Sequence, residues 1–314
     1  MKATFTGMLY LTGAFSLAGT SVIAGSLLSG KLGVFTISAV SLLVAVVGLL
    51  PFCAANLRAV LPYLPVRRWL ELFLQALFGI FLFRMFLLQG LLGTSAGEAG
   101  ILTGATPAAT ALLAWLLVKE PLGPVRAIGI GCTVSGIAVI QGLWYSGASF
   151  AAQHAAGNML VLCAALSESI FNVLSRLANV RAAKEQERFL EPVAQSALVS
   201  AMAMLLCVPF ALAEQAGARL GQLQASDWAA LIWYGLFVTA LAFFCWYEGI
   251  KRCKASVAAA FSGMMPVTAL LLSMLFLGEQ ADAERWLGAI LVLAGMVFVG
   301  RSNNAARSRH CNGE

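Results

Sequence analysis

One stretch of this chain recurs at a fixed distance. From Thr103 to Leu122 it reads TGATPAATALLAWLLVKEPL, and from Ser262 to Ala281 SGMMPVTALLLSMLFLGEQA. Each copy sets a Gly three residues before a Pro and a Glu thirteen after it: Gly104, Pro107, Glu120 and Gly263, Pro266, Glu279. Pro266 lies 159 positions beyond Pro107, and the same register pairs Arg126 with Arg285, Gly129 with Gly288, Gly136 with Gly295 and Gly90 with Gly249. A register held this long marks two homologous halves, and whatever one half folds into the other must also accommodate.

The medium for that fold follows from the apolar content. With 60% hydrophobic and 11% charged residues, the chain has too little polar surface to cover a soluble globule of 314 residues. Crossing about 30 Å of hydrocarbon takes roughly 20 apolar residues. Ten such helices are expected, over Leu9–Leu28, Val34–Ala54, Leu70–Leu92, Ala96–Val118, Val125–Leu143, Asn158–Leu177, Pro192–Leu212, Trp228–Ile250, Ala255–Leu277 and Trp286–Val299. The first follows a Lys as a signal peptide would, yet it is long and nine more follow, so it reads as an uncleaved membrane helix.

Lys and Arg set the orientation. With the N-terminus cytoplasmic, only Lys31, Arg219 and Arg285 fall outside, and both termini lie inside a bacterial-type inner membrane. Five helices per half is an odd number, so the second half enters from the opposite face. The expected fold is an all-α membrane protein of ten transmembrane helices in two inverted five-helix repeats, residues 1–150 and 151–301, followed by a polar cytoplasmic tail at 302–314. Fused inverted halves are the signature of many secondary transporters. The net charge of +6 is scattered between apolar runs, which assigns it to topology and not to nucleic acid. Seven Cys without a CxxC argue against disulfides and zinc, so no metal or cofactor is expected.

Site candidates come from what is costly in lipid. Pro107 and Pro266 each remove a backbone hydrogen bond and free the carbonyl four residues earlier, at Thr103 and Ser262, beside the flexible Gly104 and Gly263. These positions read either as static kinks or as paired hinges beside a central cavity. Small residues spaced by four, Ala96, Gly100 and Gly104, and Ala255, Ala259 and Gly263, permit close helix approach. Arg84 and Glu168 are charges well inside their spans and default to functional suspects. Glu168 shares a face with Ala164, Ala165, Asn172 and Ser175 and points inward, whereas the face of Arg84 offers no polar companion. Two readings stand: the two form an ion pair, or they face a cavity and bind a substrate carboxylate and amine. In the first helix Ser16, Thr20 and Ser21 add polarity without charge, Glu98 reads as interfacial, and Glu248 is spaced to pair with Lys251 or Arg252.

Enzyme signatures fail on context. Gly93-Thr94-Ser95-Ala96-Gly97 matches GxSxG, but that motif needs a strand-to-helix elbow and here it is a turn between apolar helices. A membrane scaffold or sensor without flux is the other alternative, and an intramembrane serine hydrolase is the remote one.

Taken together these residues resemble the EamA-type branch of the drug/metabolite transporter superfamily. The resemblance spans the chain and is sharpest over Ala99–Leu122, Val125–Gly142, Ala258–Glu279 and Trp286–Gly300, with SESIFNVLSRL at Ser167–Leu177 like the family's sixth helix. The first helix departs from it, with SLAGTSVIAG at Ser16–Gly25 where a Trp-Gly pair is common. What the resemblance implies is a cavity lined mainly by helices one, three, four, six, eight and nine, and movement of amino acids, drugs or other metabolites, most often outward. The expected partners are a small-molecule substrate and the lipid bilayer, with no nucleic acid, and the expected assembly is a monomer or homodimer. Any proton coupling needs a titratable group in the cavity, for which Glu168 is the candidate.

Overall fold

The computed structural model describes residues 2–118, 123–140, 149–184, 190–252, 261, 264–280 and 282–311. Glu120, Ala255, Ala259, Ser262 and Gly263 of the repeat motif lie outside the described residues. Within them the regular structure is helical throughout. We label the helices α1 (Lys2–Gly19), α2 (Ser21–Leu28), α3 (Val34–Val60), α4 (Val66–Ala76), α5 (Phe83–Gly90), α6 (Ala96–Thr103), α7 (Thr106–Val118), α8 (Pro124–Ile140), α9 (Ser149–Lys184), α10 (Pro192–Ala213), α11 (Ala216–Leu220), α12 (Ala225–Ile232), α13 (Ala242–Arg252), α14 (Met264–Leu277) and α15 (Ala283–Cys311). Two π-helical segments, Leu77–Leu82 and Trp233–Leu241, join α4 to α5 and α12 to α13.

Among the described residues seven helical spans are long and apolar enough to cross a membrane, including Phe5–Leu28, Val66–Gly90, Ala96–Leu116 and Ala225–Trp246, and Ala127–Val139 and Met264–Phe276 are shorter apolar helices. Side chains such as Phe52, Leu212, Leu275 and Phe276 are mostly exposed, as an outer surface in lipid requires. Three features differ from the sequence expectation. α9 is 36 residues long and outruns its expected span at both ends. α15 runs through the expected polar tail as far as Cys311, because Asn-Ala-Ala-Arg-Ser-Arg contains nothing that stops a helix. α11 adds a short helix between α10 and α12.

Helix pairing sets the layout. α3 packs along α10 and α8 along α15, and these four run unbroken. α1 packs on α13 and α14, α5 on α9, α6 on α14 and α9, and α7 on α9. Glycines allow the closest of these approaches. A Cβ on Gly100 would stand 2.2 Å from the Cβ of Ala269, and one on Gly19 would stand 2.6 Å from the carbonyl oxygen of Met265. The small-residue stripe of α6 is therefore a packing surface against α14.

Candidate functional site

Among the described residues four of the apolar spans are interrupted, and each interruption frees a backbone carbonyl that no lipid can satisfy. The first span breaks at Thr20, between α1 and α2; the third contains the π segment Leu77–Leu82; the fourth breaks at Gly104–Ala105, between α6 and α7; the eighth contains the π segment Trp233–Leu241. A hydroxyl meets a carbonyl at each one. Thr20 Oγ1 donates to the Leu17 oxygen at 2.7 Å, Ser167 Oγ to the Phe78 oxygen at 2.7 Å, Thr106 Oγ1 to the Thr103 oxygen at 2.9 Å and Thr239 Oγ1 to the Tyr234 oxygen at 3.0 Å. A hydroxyl that spends its proton this way keeps lone pairs to offer elsewhere. Thr20 accepts from Trp233 Nε1 at 2.9 Å, and Thr239 accepts from the Arg84 guanidinium at 2.7 Å.

The break in the fourth span is the kink expected at Pro107. The helix stops before the proline, so Pro107 occupies the second position of α7, where its missing N–H costs nothing. The carbonyl it frees, at Thr103, is the one Thr106 holds. Thr106 Oγ1 also lies 2.9 Å from Glu168 Oε2, and Ser169 Oγ donates to the Thr106 carbonyl at 3.0 Å, so α9 is fastened to the kink by two adjacent residues. Ala164 and Ala165 on the same face of α9 are fully buried, and Asn172 is half-buried. Thr103 Oγ1 is turned onto the Gly100 carbonyl of its own helix at 2.7 Å, while Ser21 is buried at the start of α2. Pro107 is half-buried and Pro266, third in α14, is buried.

Arg84 and Glu168 do not pair. The guanidinium of Arg84, 6% exposed, donates from Nη1 to Ser41 Oγ and from Nη2 to Thr239 Oγ1, each at 2.7 Å, and lies 4.4 Å above the Tyr234 ring. The ion-pair reading is thereby corrected: the companions of Arg84 are hydroxyls from α3 and from the second π segment, and those of Glu168 are on the kink of the fourth span.

A second polar cluster gathers where α6, α9 and α15 begin. Glu98, read from sequence as interfacial, is only 4% exposed. Its carboxylate accepts from Asn158 Nδ2 at 2.9 Å, Arg285 Nη2 at 2.9 Å and Thr94 Oγ1 at 3.2 Å, with His154 Nδ1 at 3.0 Å. Beside it Glu279, the repeated acid of the second half, accepts from the Ala96 and Gly97 N–H groups at 2.7 and 2.9 Å and so caps α6. Glu214 caps α3 in the same manner through the N–H groups of Phe35 and Thr36, and Lys31 reaches Asp227 at 2.5 Å. At the opposite ends of the helices Glu71 holds Arg68 and Arg181, and Glu248 takes Arg252 as its spacing predicts. Ser95, centre of the GxSxG string, is the N-cap of α6, accepting from the Glu98 N–H at 3.2 Å.

Sequence reasoning missed Ser41, Thr106, Thr239, Tyr234 and the partners of Glu98. Only Thr106 carried a signal, as a hydroxyl immediately before a proline and three residues from the carbonyl that proline frees.

Comparison with known proteins agrees with this architecture. The model of the EamA-like transporter family matches the chain twice, over residues 5–142 and 155–301. The uncharacterized transporter YetK of Bacillus subtilis is 32% identical over 292 residues, covering 92% of this chain and 84% of that protein. A WAT1-related chloroplastic protein of Arabidopsis thaliana is 24% identical over 305 residues, covering 95% of this chain and 70% of that one. One solved crystal structure superposes with a TM-score of 0.58 over 95% of both chains at 19% identity, a likeness of fold. The names of the relatives indicate a transporter and not an enzyme, and the chain is an integral membrane protein of the EamA-like transporter family.

Proposed function

We propose that this protein is a secondary transporter that exports a small organic metabolite, an amino acid or a related compound, across a bacterial-type inner membrane by alternating access. Ten transmembrane helices form two inverted five-helix repeats, residues 1–150 and 151–301, with both termini cytoplasmic and the kink at Gly104–Pro107 as one hinge. Pro266, with Gly263 outside the described residues, is the matching hinge of the second half.

The observation that carries this reading is where the interruptions fall. Among the described residues they lie in spans one, three, four and eight, and polar side chains collect at them, whereas α3, α8, α10 and α15 are unbroken. Irregular backbone at membrane depth is tolerated where it is buried in protein or lines a cavity, and broken helices mark transporter binding sites. The repeat register supports the two equivalent halves. Leu77–Leu82 moved by 159 positions falls on 236–241, inside the second π segment. The pairing of α1 with α13 and of α5 with α9 is what exchanging the two halves about a twofold axis produces.

Proton coupling through Glu168 fits the same geometry. Thr106 has one hydroxyl proton and two acceptors at 2.9 Å, the Thr103 carbonyl and Glu168 Oε2. A protonated Glu168 donates to Thr106 and leaves the Thr106 proton on the kink carbonyl; an ionised one draws it away. Loss or gain of a proton at Glu168 thus changes how the hinge is held.

The test is flux in proteoliposomes loaded with a labelled amino-acid panel, with and without a pH gradient. Solute leaving faster than from loaded vesicles without protein, driven by the gradient and no longer so in Glu168→Gln, is the expected result. A correctly folded protein that moves none of the panel returns the scaffold or sensor alternative, and gradient-driven flux through Glu168→Gln removes the proton role.

A further inference from the structure

Arg84 is a buried cation without a buried anion. Placing a charge in hydrocarbon is tolerated when it is paired, and breaking such a pair is costly. Here the contacts given to the guanidinium are two hydroxyl oxygens and a ring face. Arg carries five N–H donors in a fixed fork, of which two are engaged.

The surroundings supply donors and withhold acceptors. The hydroxyl proton of Ser41 goes to the Ile37 carbonyl at 2.7 Å, and that of Thr239 to the Tyr234 carbonyl at 3.0 Å, so both present lone pairs already used by Arg84. The Tyr234 ring beneath the guanidinium is 1% exposed and ends in a hydroxyl with no hydrogen-bond partner. A buried phenolic hydroxyl is normally paired, and leaving one unpaired is costly. A guanidinium with donors to spare, over a ring whose O–H is unpartnered, is complementary to an oxyanion, which can accept from both. The site also joins the two halves: Ser41 and Arg84 belong to the first, Tyr234 and Thr239 to the second π segment.

We propose that Arg84 and the Tyr234 hydroxyl together receive the carboxylate or phosphate group of the transported solute, which makes the substrate class an organic anion. This rests on the transporter reading and narrows it. Arg84 already ties α5 to Ser41 of α3 and Thr239 of the second π segment, so an anion that draws on the same guanidinium competes with or adds to contacts that cross between the halves, and its occupancy is linked to their relation.

The experiment uses the purified full-length chain in nanodiscs and thermal unfolding in the presence of succinate, benzoate or phenyl phosphate, each set beside its neutral counterpart, succinamide, benzamide or phenol. The acids are expected to raise Tm and the neutral compounds to leave it unchanged. A rise with the carboxylates alone or the phosphate alone assigns the group. Tyr234→Phe removes one oxygen and is expected to weaken anion binding roughly tenfold. Arg84→Lys keeps the charge but loses the fork and is expected to weaken it at least as much. Stabilisation by the neutral compounds equal to that by the acids, no shift with any acid, or unchanged affinity in Tyr234→Phe and Arg84→Lys overturns the inference. Should an Arg84 variant fail to fold, Tyr234→Phe decides alone. Flux in vesicles separates the two readings: anions that bind but are not carried count against transport and not against the site, whereas transport of a neutral solute with no anion binding does the reverse.

Discussion

Replacing Glu98 with Gln removes one charge and almost no volume from the point where α6, α9 and α15 meet. The carboxylate is 4% exposed and accepts from Asn158, Arg285 and Thr94, with His154 at 3.0 Å. Removing one member of a buried ion pair costs about 3 to 5 kcal/mol, because the other charge stays buried without compensation. Two features reduce that here. The Arg285 side chain is 11% exposed and also donates to the Gln280 carbonyl at 2.7 Å, and Gln keeps one acceptor oxygen for Asn158. A loss of about 2 kcal/mol is the expected size, or roughly thirtyfold in an equilibrium. Because Glu98 sits in the first half and Asn158, His154 and Arg285 in the second, that loss falls on the arrangement in which these helix ends are together. The assay is reaction of Ala99→Cys, a fully buried position on α6, with an impermeant maleimide after the native cysteines are replaced. Labelling is expected to be roughly thirtyfold faster in Glu98→Gln. An unchanged rate together with an unchanged Tm would refute the reasoning that Glu98 holds these helix ends together.

Thr106→Val keeps shape but leaves the Thr103 carbonyl without a donor, at a cost of about 1 to 3 kcal/mol seen as a lower Tm, and Thr106→Ser is expected to restore it. Glu279→Gln weakens two charge-assisted bonds to the first turn of α6 and is expected to cost about 1 kcal/mol, smaller than Glu98→Gln because the acid is half-buried. Gly100→Val drives a side chain into Ala269, already 2.2 Å from a single added Cβ, and is expected to abolish the folded, detergent-stable protein in size-exclusion chromatography. Glu248→Gln, at an i,i+4 surface pair with Arg252, is expected to leave Tm essentially unchanged, because solvent screens the pair.

Much of this architecture was legible because lipid leaves few choices. A span must reach a minimum length and satisfy its own backbone, so apolar runs translate almost directly into helices, and a repeat in register translates into two related halves. The break before Pro107 was legible for the same reason, since the lost N–H names the orphaned carbonyl in advance. The π segments were not: LFGIFL and WYGLFVTAL contain no proline, and their distortion answers tertiary contacts. Gly235 brings the second segment against the Ser41 carbonyl, where a Cβ would stand 2.3 Å away, and Gly79 brings the first against the Phe171 ring at 2.4 Å. The partners of Arg84 were hidden in a similar way, because Ser41 and Thr239 lie 43 and 155 residues distant and resemble any isolated hydroxyl in an apolar run. Glu98 lies two residues into its helix, which reads as a wet position; what makes it dry is Arg285, 187 residues away.

Proline alone does not explain which helices break. α3 contains Pro51 and α10 contains Pro209, and each removes a hydrogen bond from a carbonyl four residues back, at Val47 and Leu205. Both helices nevertheless continue, and Val47 and Leu205 lie on the outer surface at 59% and 64% exposure with no hydroxyl beside them in sequence. At Pro107 the same loss is met by Gly104, which relaxes the turn, and by Thr106, which takes the freed carbonyl and reaches Glu168 as well. The other three interruptions dispense with proline altogether, and two of them use a similar device, a hydroxyl whose proton pins a carbonyl and whose oxygen accepts from a side chain of another helix. The break is therefore where backbone polarity is handed to a side chain that can exchange its partner. A helix with only a proline bends once and stays bent. A helix with a hydroxyl relay holds the freed carbonyl through a side chain that also contacts another helix, so the state of that carbonyl depends on the neighbouring helix as well as on its own chain.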